Sequence, residues 1–67
     1  MNHIRRLRER ASPPVSQIEL ARRAEVSVYK LCVWERGGAR PGPVNRERIA
    51  RALGVPVDKV FPVEAAR

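Results

Sequence analysis

The chain has 67 residues, which allows one small domain, and 14 Lys and Arg against 7 Asp and Glu give it a formal net charge of +7. A domain of this size buries only about 60% of its unfolded surface, so a deep pocket is not expected, and the positive charge indicates an anionic partner such as nucleic acid or an acidic membrane surface. The single cysteine, Cys32, excludes an internal disulfide and fits a reducing cytoplasm, and no apolar run is long enough for a membrane span or a signal peptide.

The first predicted helix covers residues 3–10, HIRRLRER, because Ile4 and Leu7 fall on one face with arginines around them. The segment ASPPV then ends this helix. Two consecutive prolines cannot continue a helix, and they hold the chain extended.

The second predicted helix begins after Ser16 and runs through Ala24. The sequence SQIE is a capping box, in which the Ser16 hydroxyl accepts a hydrogen bond from the Glu19 amide and the Glu19 carboxylate reaches back to the start of the helix. Its periodicity predicts a buried face formed by Leu20, Ala21 and Ala24, with Ile18 at the flank.

The third predicted helix runs from Val28 to about Arg36. Ser27 is its expected N-cap, and Gly37 suits the left-handed residue that ends many helices. Only Glu25, Val26 and Ser27 separate it from the second helix. Two helices joined this closely must cross steeply, as in a helix-turn-helix, whose second helix enters the major groove of DNA.

After the loop GGARPGP, a fourth helix is predicted near Val44 to Leu53, ending at Gly54 and burying Ile49, Ala52 and Leu53. The segment VPVDKVF predicts one further short turn, which would bring Val57, Val60 and Phe61 onto the core. The predicted fold class is therefore all-α, a compact bundle of five short helices with a loose tail at 62–67.

The third helix has an unusual outward face. At about 100° per residue, Leu31 and Trp34 share the face expected in the core. Apolar and cationic side chains fall on the opposite face, namely Tyr29, Cys32, Val33 and Arg36, with Val28 at the N-terminal tip. A face turned to water does not need Tyr and Val, whereas a groove-facing helix uses them to touch thymine methyls or to bond a base or phosphate. The alternatives are that Tyr29 packs on a neighbouring surface side chain and that the valines are ordinary exposed residues.

The segments SQ-x-ELA-x-x-A, VS, W-ERG and IA-x-ALGV stand in an order and spacing that resemble the phage-repressor and Cro family of helix-turn-helix domains, often called the XRE family. The resemblance extends from Ile4 to Phe61. It implies a lambda-repressor-like DNA-binding fold and sequence-dependent binding of double-stranded DNA.

The resemblance also implies roles for individual residues. Gln17 would bond a phosphate and brace the third helix, and Ser27 would help to hold phosphate at the start of that helix. The positions that read bases would be Val28, Tyr29 and Val33, bordered by Lys30 and Cys32. Arg36 and Arg40 would meet the phosphate backbone. Glu35 occupies the family's ion-pair position, with Arg8 favoured over Arg10 as its partner.

The sequence departs from the family pattern at four places. Glu25 stands where the family usually has glycine at positive φ, which costs on the order of 1 kcal/mol unless the turn differs locally. The ASPPV loop is longer than usual, and Gly42–Pro43 predicts a late start of the fourth helix. The recognition positions lack the Gln or Arg that make bidentate base contacts, which argues against strong direct readout but not against DNA binding.

These features predict a small transcriptional regulator, a repressor that occupies a promoter, in a bacterial or phage cytoplasm close to the nucleoid. It would act as a dimer on two half-sites about 34 Å apart, with a candidate dimer surface at Val60, Phe61 and Val63. The alternative is an antitoxin-like or adaptor module whose main partner is another protein.

An enzyme is not expected, since the sequence has no catalytic triad, paired-carboxylate cleft or phosphate-binding glycine loop. One His and one Cys far apart predict no metal site and no cofactor.

Overall fold

Five α-helices account for most of residues 2–62, the part of the chain that the computed structural model describes. They are α1 (Ile4–Arg10), α2 (Gln17–Ala24), α3 (Val28–Arg36), α4 (Pro43–Leu53) and α5 (Val57–Val60). No β-strand is found between residues 2 and 62. The predicted all-α fold with five short helices is therefore confirmed, and the predicted limits of α3 match the observed ones.

The core takes one fully buried side chain from every helix. These five side chains have no exposed surface: Ile4, Leu20, Leu31, Ile49 and Val60. Helix α2 lies at the centre, in contact with α3 and α4, and α4 also contacts α5. Even the four-residue α5 is therefore fixed by burial, because isolated helices of that length are not stable in water.

Helix α4 differs from its prediction in two respects. It begins at Pro43, one residue before the predicted start, with Gly42 as N-cap. Proline is favoured at the first helical position because the amide it lacks would have had no helical partner there. Its fully buried residues are Ile49 and Ala50, whereas Ala52 and Leu53, which were predicted to be buried, are only partly covered. The buried face of α4 is thus centred on Ile49 and Ala50, and Ala52 lies at the edge of this face.

The predicted capping box of α2 is only half formed. The Ser16 hydroxyl accepts a 3.0 Å hydrogen bond from the Glu19 amide, as expected. The Glu19 carboxylate does not reach back, because Arg22 and Arg23 on the next turn donate to it at 2.6 and 2.7 Å. The bonds to the two arginines have a charge on both partners, whereas the bond of the carboxylate to the backbone amide would have a charge on one partner only.

The hydrogen bonds from Arg22 and Arg23 lower the pKa of the Glu19 carboxyl. A carboxyl with a lower pKa in the folded state stabilises the fold at pH values above its unfolded pKa, and this contribution is lost as the pH falls through the folded pKa. We therefore expect Glu19→Gln to weaken the acid dependence of the unfolding midpoint below about pH 4.3, the ordinary glutamate value. Urea titrations at several pH values measure this. Glu47→Gln, on the exposed surface of α4, is the control and should leave the dependence unchanged.

Helices α2, α3 and α4 all end in the same hydrogen-bonding pattern. After α3, Gly37 lies at φ +81° and the Gly38 amide donates to the Val33 carbonyl. After α2, the equivalent residue is Glu25 at φ +59°, and the Val26 amide donates to the Ala21 carbonyl. This is the Schellman ending, whose left-handed residue is usually glycine. The turn between α2 and α3 is therefore the ordinary one, and Glu25 adopts a conformation that is unfavourable for an L-residue.

We expect Glu25→Gly to raise the free energy of unfolding by about 0.5–1 kcal/mol, because glycine adopts positive φ without a Cβ clash. Part of the gain is offset because glycine loses more conformational entropy on folding than glutamate does. Urea unfolding measures the change. Glu25→Ala removes the same charge but keeps the Cβ atom, so it should not stabilise. Equal effects of Gly and Ala would show that backbone strain is not the cause.

Candidate nucleic-acid interface

Helix α3 is fastened to the core on one side and open on the other. Leu31 is fully buried and Trp34 retains 6% exposure, so these two side chains hold the helix against α2. At its N-terminal end, Tyr29 is 73% exposed and Val28 42% exposed. The start of α3 therefore presents an aromatic and a branched apolar side chain to the outside.

Cys32 and Val33 are less exposed to solvent than the helical periodicity predicted. Both are half-buried. The Val33 side chain lies beside the turn after α3, where a Cβ atom on Gly38 would come within 3.2 Å of Val33 Cγ1. Cys32 Sγ lies 3.1 Å from Gln17 Oε1, at the start of α2. The exposed face of α3 is consequently narrower than predicted and is formed by Val28, Tyr29 and Arg36, with Lys30 beside them.

A buried ion pair joins α1 to α3. Arg8, not Arg10, is the partner of Glu35, with Nε donating to Oε2 at 2.8 Å and Nη2 to Oε1 at 3.1 Å. The two side chains are only 11% and 5% exposed. Such a bidentate pair fixes both the distance and the orientation between the two helices.

The long loop after α1 folds around the same arginine. Arg8 Nη1 donates to the Val15 carbonyl at 3.1 Å, and the Arg8 carbonyl accepts from the Val15 amide at 3.0 Å. The extra residues of the loop therefore do not displace the ion pair. They pass over Arg8, and Val15 returns the chain to the core with 9% exposure.

Gln17 connects this ion pair to the start of α2. Its Nε2 donates to Glu35 Oε1 at 2.9 Å, while its Oε1 faces the thiol of Cys32. The side chains of Arg8, Glu35, Gln17 and Cys32 thus form one chain of hydrogen bonds, called here the bracing network. It ties α3 to both preceding helices.

The first turn of α2 leaves amides available, whereas the first turn of α3 is capped by a side chain. The amides of Gln17 and Ile18 precede the first bonded turn of α2, and no acceptor for them is found within residues 2–62. The Ser27 hydroxyl caps α3 by accepting from the amides of Tyr29 and Lys30, at 3.1 and 3.2 Å. Amides at helix N-termini are well suited to phosphate oxygens.

The model of the family described as "Helix-turn-helix domain" matches residues 2–60 of the chain. The chain belongs to the helix-turn-helix domain family. The match agrees with the resemblance to phage-repressor and Cro-like domains, and membership indicates sequence-specific DNA binding, in a family that is typically not enzymatic. Comparison with curated proteins and with solved structures gives no match.

In this helix-turn-helix domain, α2 and α3 form the motif and the remaining helices hold it. Arg36 is exposed at the end of α3 and Arg40 is exposed in the following loop. Arg40 lines a shallow groove that also contains Asn2 and Arg46. The two arginines expected to meet phosphate therefore lie at the C-terminal end of α3 and in the loop that follows it.

One residue that sequence reasoning missed is Asn2. Its Nδ2 donates to the Trp34 carbonyl at 2.8 Å, and its Oδ1 accepts from the Ile4 amide at 3.1 Å. The His3 amide adds a 2.8 Å bond to the Val60 carbonyl. Asn often accepts from the amide two residues ahead in an Asx turn, so the bond to Ile4 has a local signal in the sequence. The contact with Trp34 is tertiary and has no local signal.

The predicted dimer surface requires a correction. Val60 is fully buried inside the helix-turn-helix domain, so its side chain cannot contact a second copy. The reason is that the short α5 turns Val60 toward the core. Phe61 is half-buried and packs against the core, and Val63 lies outside the described residues.

Within residues 2–62, no three His, Cys, Asp or Glu side chains are grouped as metal ligands. None of the described helices is long and apolar enough to span a bilayer.

Proposed function

We propose that this helix-turn-helix domain binds double-stranded DNA in a sequence-dependent manner by inserting α3 into the major groove, and that it represses transcription by occupying a promoter. The proposal depends on the difference in solvent exposure between two side chains on one turn of α3. Leu31 has no exposed surface, whereas Tyr29, two residues earlier, is 73% exposed. An α-helix fits the major groove, where Val28 and Tyr29 would meet thymine methyls and base edges.

Phosphate contacts would flank this helix on both sides. The amides of Gln17 and Ile18, with the Gln17 side chain and Ser27, would hold one stretch of backbone at the helix N-termini. Lys30, Arg36 and Arg40 are exposed cations that would neutralise phosphates beside the groove. Such contacts position the protein on the duplex, whereas Val28, Tyr29 and the half-buried Val33 would provide discrimination between bases.

A single recognition helix reads only a few base pairs, so we propose that two copies bind two half-sites about 34 Å apart. Because Val60 is buried, the dimer contact would have to use other residues. DNA as the partner would place the protein at the nucleoid of a bacterial or phage-infected cell.

Base readout by α3 predicts different behaviour for two single variants. Selection of bound duplexes from a random pool should yield one preferred site for the wild-type protein. Tyr29→Ala should alter which bases are preferred, because it removes a group in the groove. Arg36→Ala should weaken binding to all sequences alike and leave the preferred site unchanged, because a phosphate contact carries no base information. If Tyr29→Ala selects the wild-type site unaltered, this assignment of α3 is wrong.

The alternative is an antitoxin-like or adaptor module, and one observation favours it. Two large apolar side chains away from the exposed face of α3, Ile18 and Val44, are 72% and 66% exposed. Single exposed apolar residues are common, so they carry less weight than the α3 geometry. Val44→Asp distinguishes the two functions, since it would abolish binding to a protein partner on α4 and leave the preferred duplex unchanged.

A further inference from the structure

The side-chain amide of Gln17 is held at both ends by groups of opposite hydrogen-bonding character. Glu35 Oε1, which accepts from Gln17 Nε2 at 2.9 Å, belongs to a carboxylate that is paired with Arg8 and only 5% exposed. An ionised carboxylate only accepts hydrogen bonds, so it must face the nitrogen of the amide and not the oxygen. The oxygen consequently points the other way.

Cys32 supplies the donor at that second end. Its thiol lies 3.1 Å from Gln17 Oε1, and a thiol is a hydrogen-bond donor, though a weak one. With the nitrogen end held by Glu35 and the oxygen end held by Cys32, the amide plane has one favoured orientation. In this orientation one of the two Nε2 hydrogens is used by Glu35, and no acceptor for the other is found within residues 2–62.

Gln17 borders a groove in which cationic side chains outnumber carboxylates by three to two. Gln17 and Cys32 line this open groove together with three arginines and two carboxylates, namely Arg5, Arg8, Arg36, Glu9 and Glu35. This groove adjoins the uncapped amides at the start of α2. A phosphate oxygen there would accept a hydrogen bond from an N–H group whose direction is fixed before DNA binds. This preorganisation lowers the entropic cost of ordering the side chain on binding.

We propose that Cys32 is a positioning residue for DNA binding: together with Glu35 it orients the Gln17 amide so that its second Nε2 hydrogen is presented to a DNA phosphate. Cys32 would then border the groove, as the family resemblance implied, and would act through Gln17 and not through contact with a base. The inference depends on the proposed DNA-binding function. It specifies which side chains orient the Gln17 amide for one phosphate contact.

The test compares Cys32→Ser, which keeps a donor, with Cys32→Ala, which does not. Both substitutions remove the sulfur and differ by one hydroxyl group. On the duplex selected by the wild-type protein, Cys32→Ala should bind roughly three- to tenfold more weakly than Cys32→Ser, the range expected for one net hydrogen bond. In a Gln17→Ala background this difference should disappear, because the amide that Cys32 orients is absent.

A second measurement identifies the phosphate. Duplexes that carry one neutral methylphosphonate at successive backbone positions should reveal a position where the wild-type protein loses affinity and Gln17→Ala does not. Cys32→Ser should keep this sensitivity and Cys32→Ala should lose most of it.

Three outcomes would overturn the inference. One is equal binding by Cys32→Ser and Cys32→Ala, and another is a difference between them that persists without Gln17. The third is a wild-type protein that binds no duplex, which would refute the proposed function as well. The first two results, obtained with a wild-type protein that does bind, would refute the positioning role alone.

Discussion

Glu35→Ala is expected to lower the free energy of unfolding by about 3–5 kcal/mol, because it leaves the guanidinium of Arg8 without its carboxylate in a place where that side chain is only 11% exposed. The same change removes the acceptor of Gln17 Nε2, so the bracing network loses its central member. At about 0.05–0.15 kcal/mol per residue, a domain of 67 residues has a total stability of roughly 3–10 kcal/mol, so the variant loses a large fraction of it. Urea unfolding followed by the fluorescence of Trp34 measures the change.

The chain supplies a matched control for this prediction. Arg5 and Glu9 form an ion pair of similar length, 3.1 Å, but their side chains are 73% and 56% exposed. Glu9→Ala should therefore cost no more than about 0.5 kcal/mol, the usual value for an exposed helical pair. The double variant Arg8→Met/Glu35→Leu should be more stable than Glu35→Ala, because no charge is left buried. Equal losses for Glu35→Ala and Glu9→Ala would mean that the buried pair does not hold α1 to α3.

Binding to duplex DNA is expected to weaken steeply with salt. Each neutralised phosphate contributes a slope of about −0.9 to the plot of log K against log salt concentration. If Lys30, Arg36 and Arg40 each neutralise one phosphate, the slope is about −2.7 for one domain and about −5.4 for two. Between 50 and 200 mM salt this corresponds to a loss of roughly 40-fold for one domain and more than a thousandfold for a dimer.

Fluorescence anisotropy of a labelled duplex over this salt range measures the slope. Arg36→Ala should reduce it by about 0.9 for each domain bound. Arg51→Ala is the control: it removes the same charge from the exposed surface of α4, away from the proposed interface, and should change the slope much less. An affinity that is independent of salt would show that phosphate neutralisation does not drive the binding.

The limits of α2 and α3 could be predicted because the deciding signals are local. Ser16 and Ser27 accept hydrogen bonds from amides two or three residues ahead, and Gly37 adopts the left-handed conformation that ends α3. These interactions involve neighbours in sequence, so residue type and order are sufficient to locate them. The same holds for Leu31 and Trp34, whose spacing places them on one helix face.

The errors arose where a tertiary neighbour or a competing partner decides the outcome. Periodicity placed Cys32 and Val33 outward, but Gln17 and the turn at Gly38 cover them from the sides. The Glu19 carboxylate had two possible partners, and the cations of Arg22 and Arg23 prevailed over the backbone amide. The choice of Arg8 for Glu35 depended on the path of a long loop and came from the family resemblance, not from periodicity.

In the proposed complex, the open side of α3 contacts DNA while Leu31 and Trp34 stay in the core. Intermolecular NOEs between isotope-labelled protein and its selected duplex test this most directly. We expect NOEs from the Val28 methyls and the Tyr29 ring to thymine methyl or cytosine H5 protons, which lie in the major groove, and none from Leu31. NOEs to the duplex from the Val44 surface of α4, with none from Val28 or Tyr29, would contradict it.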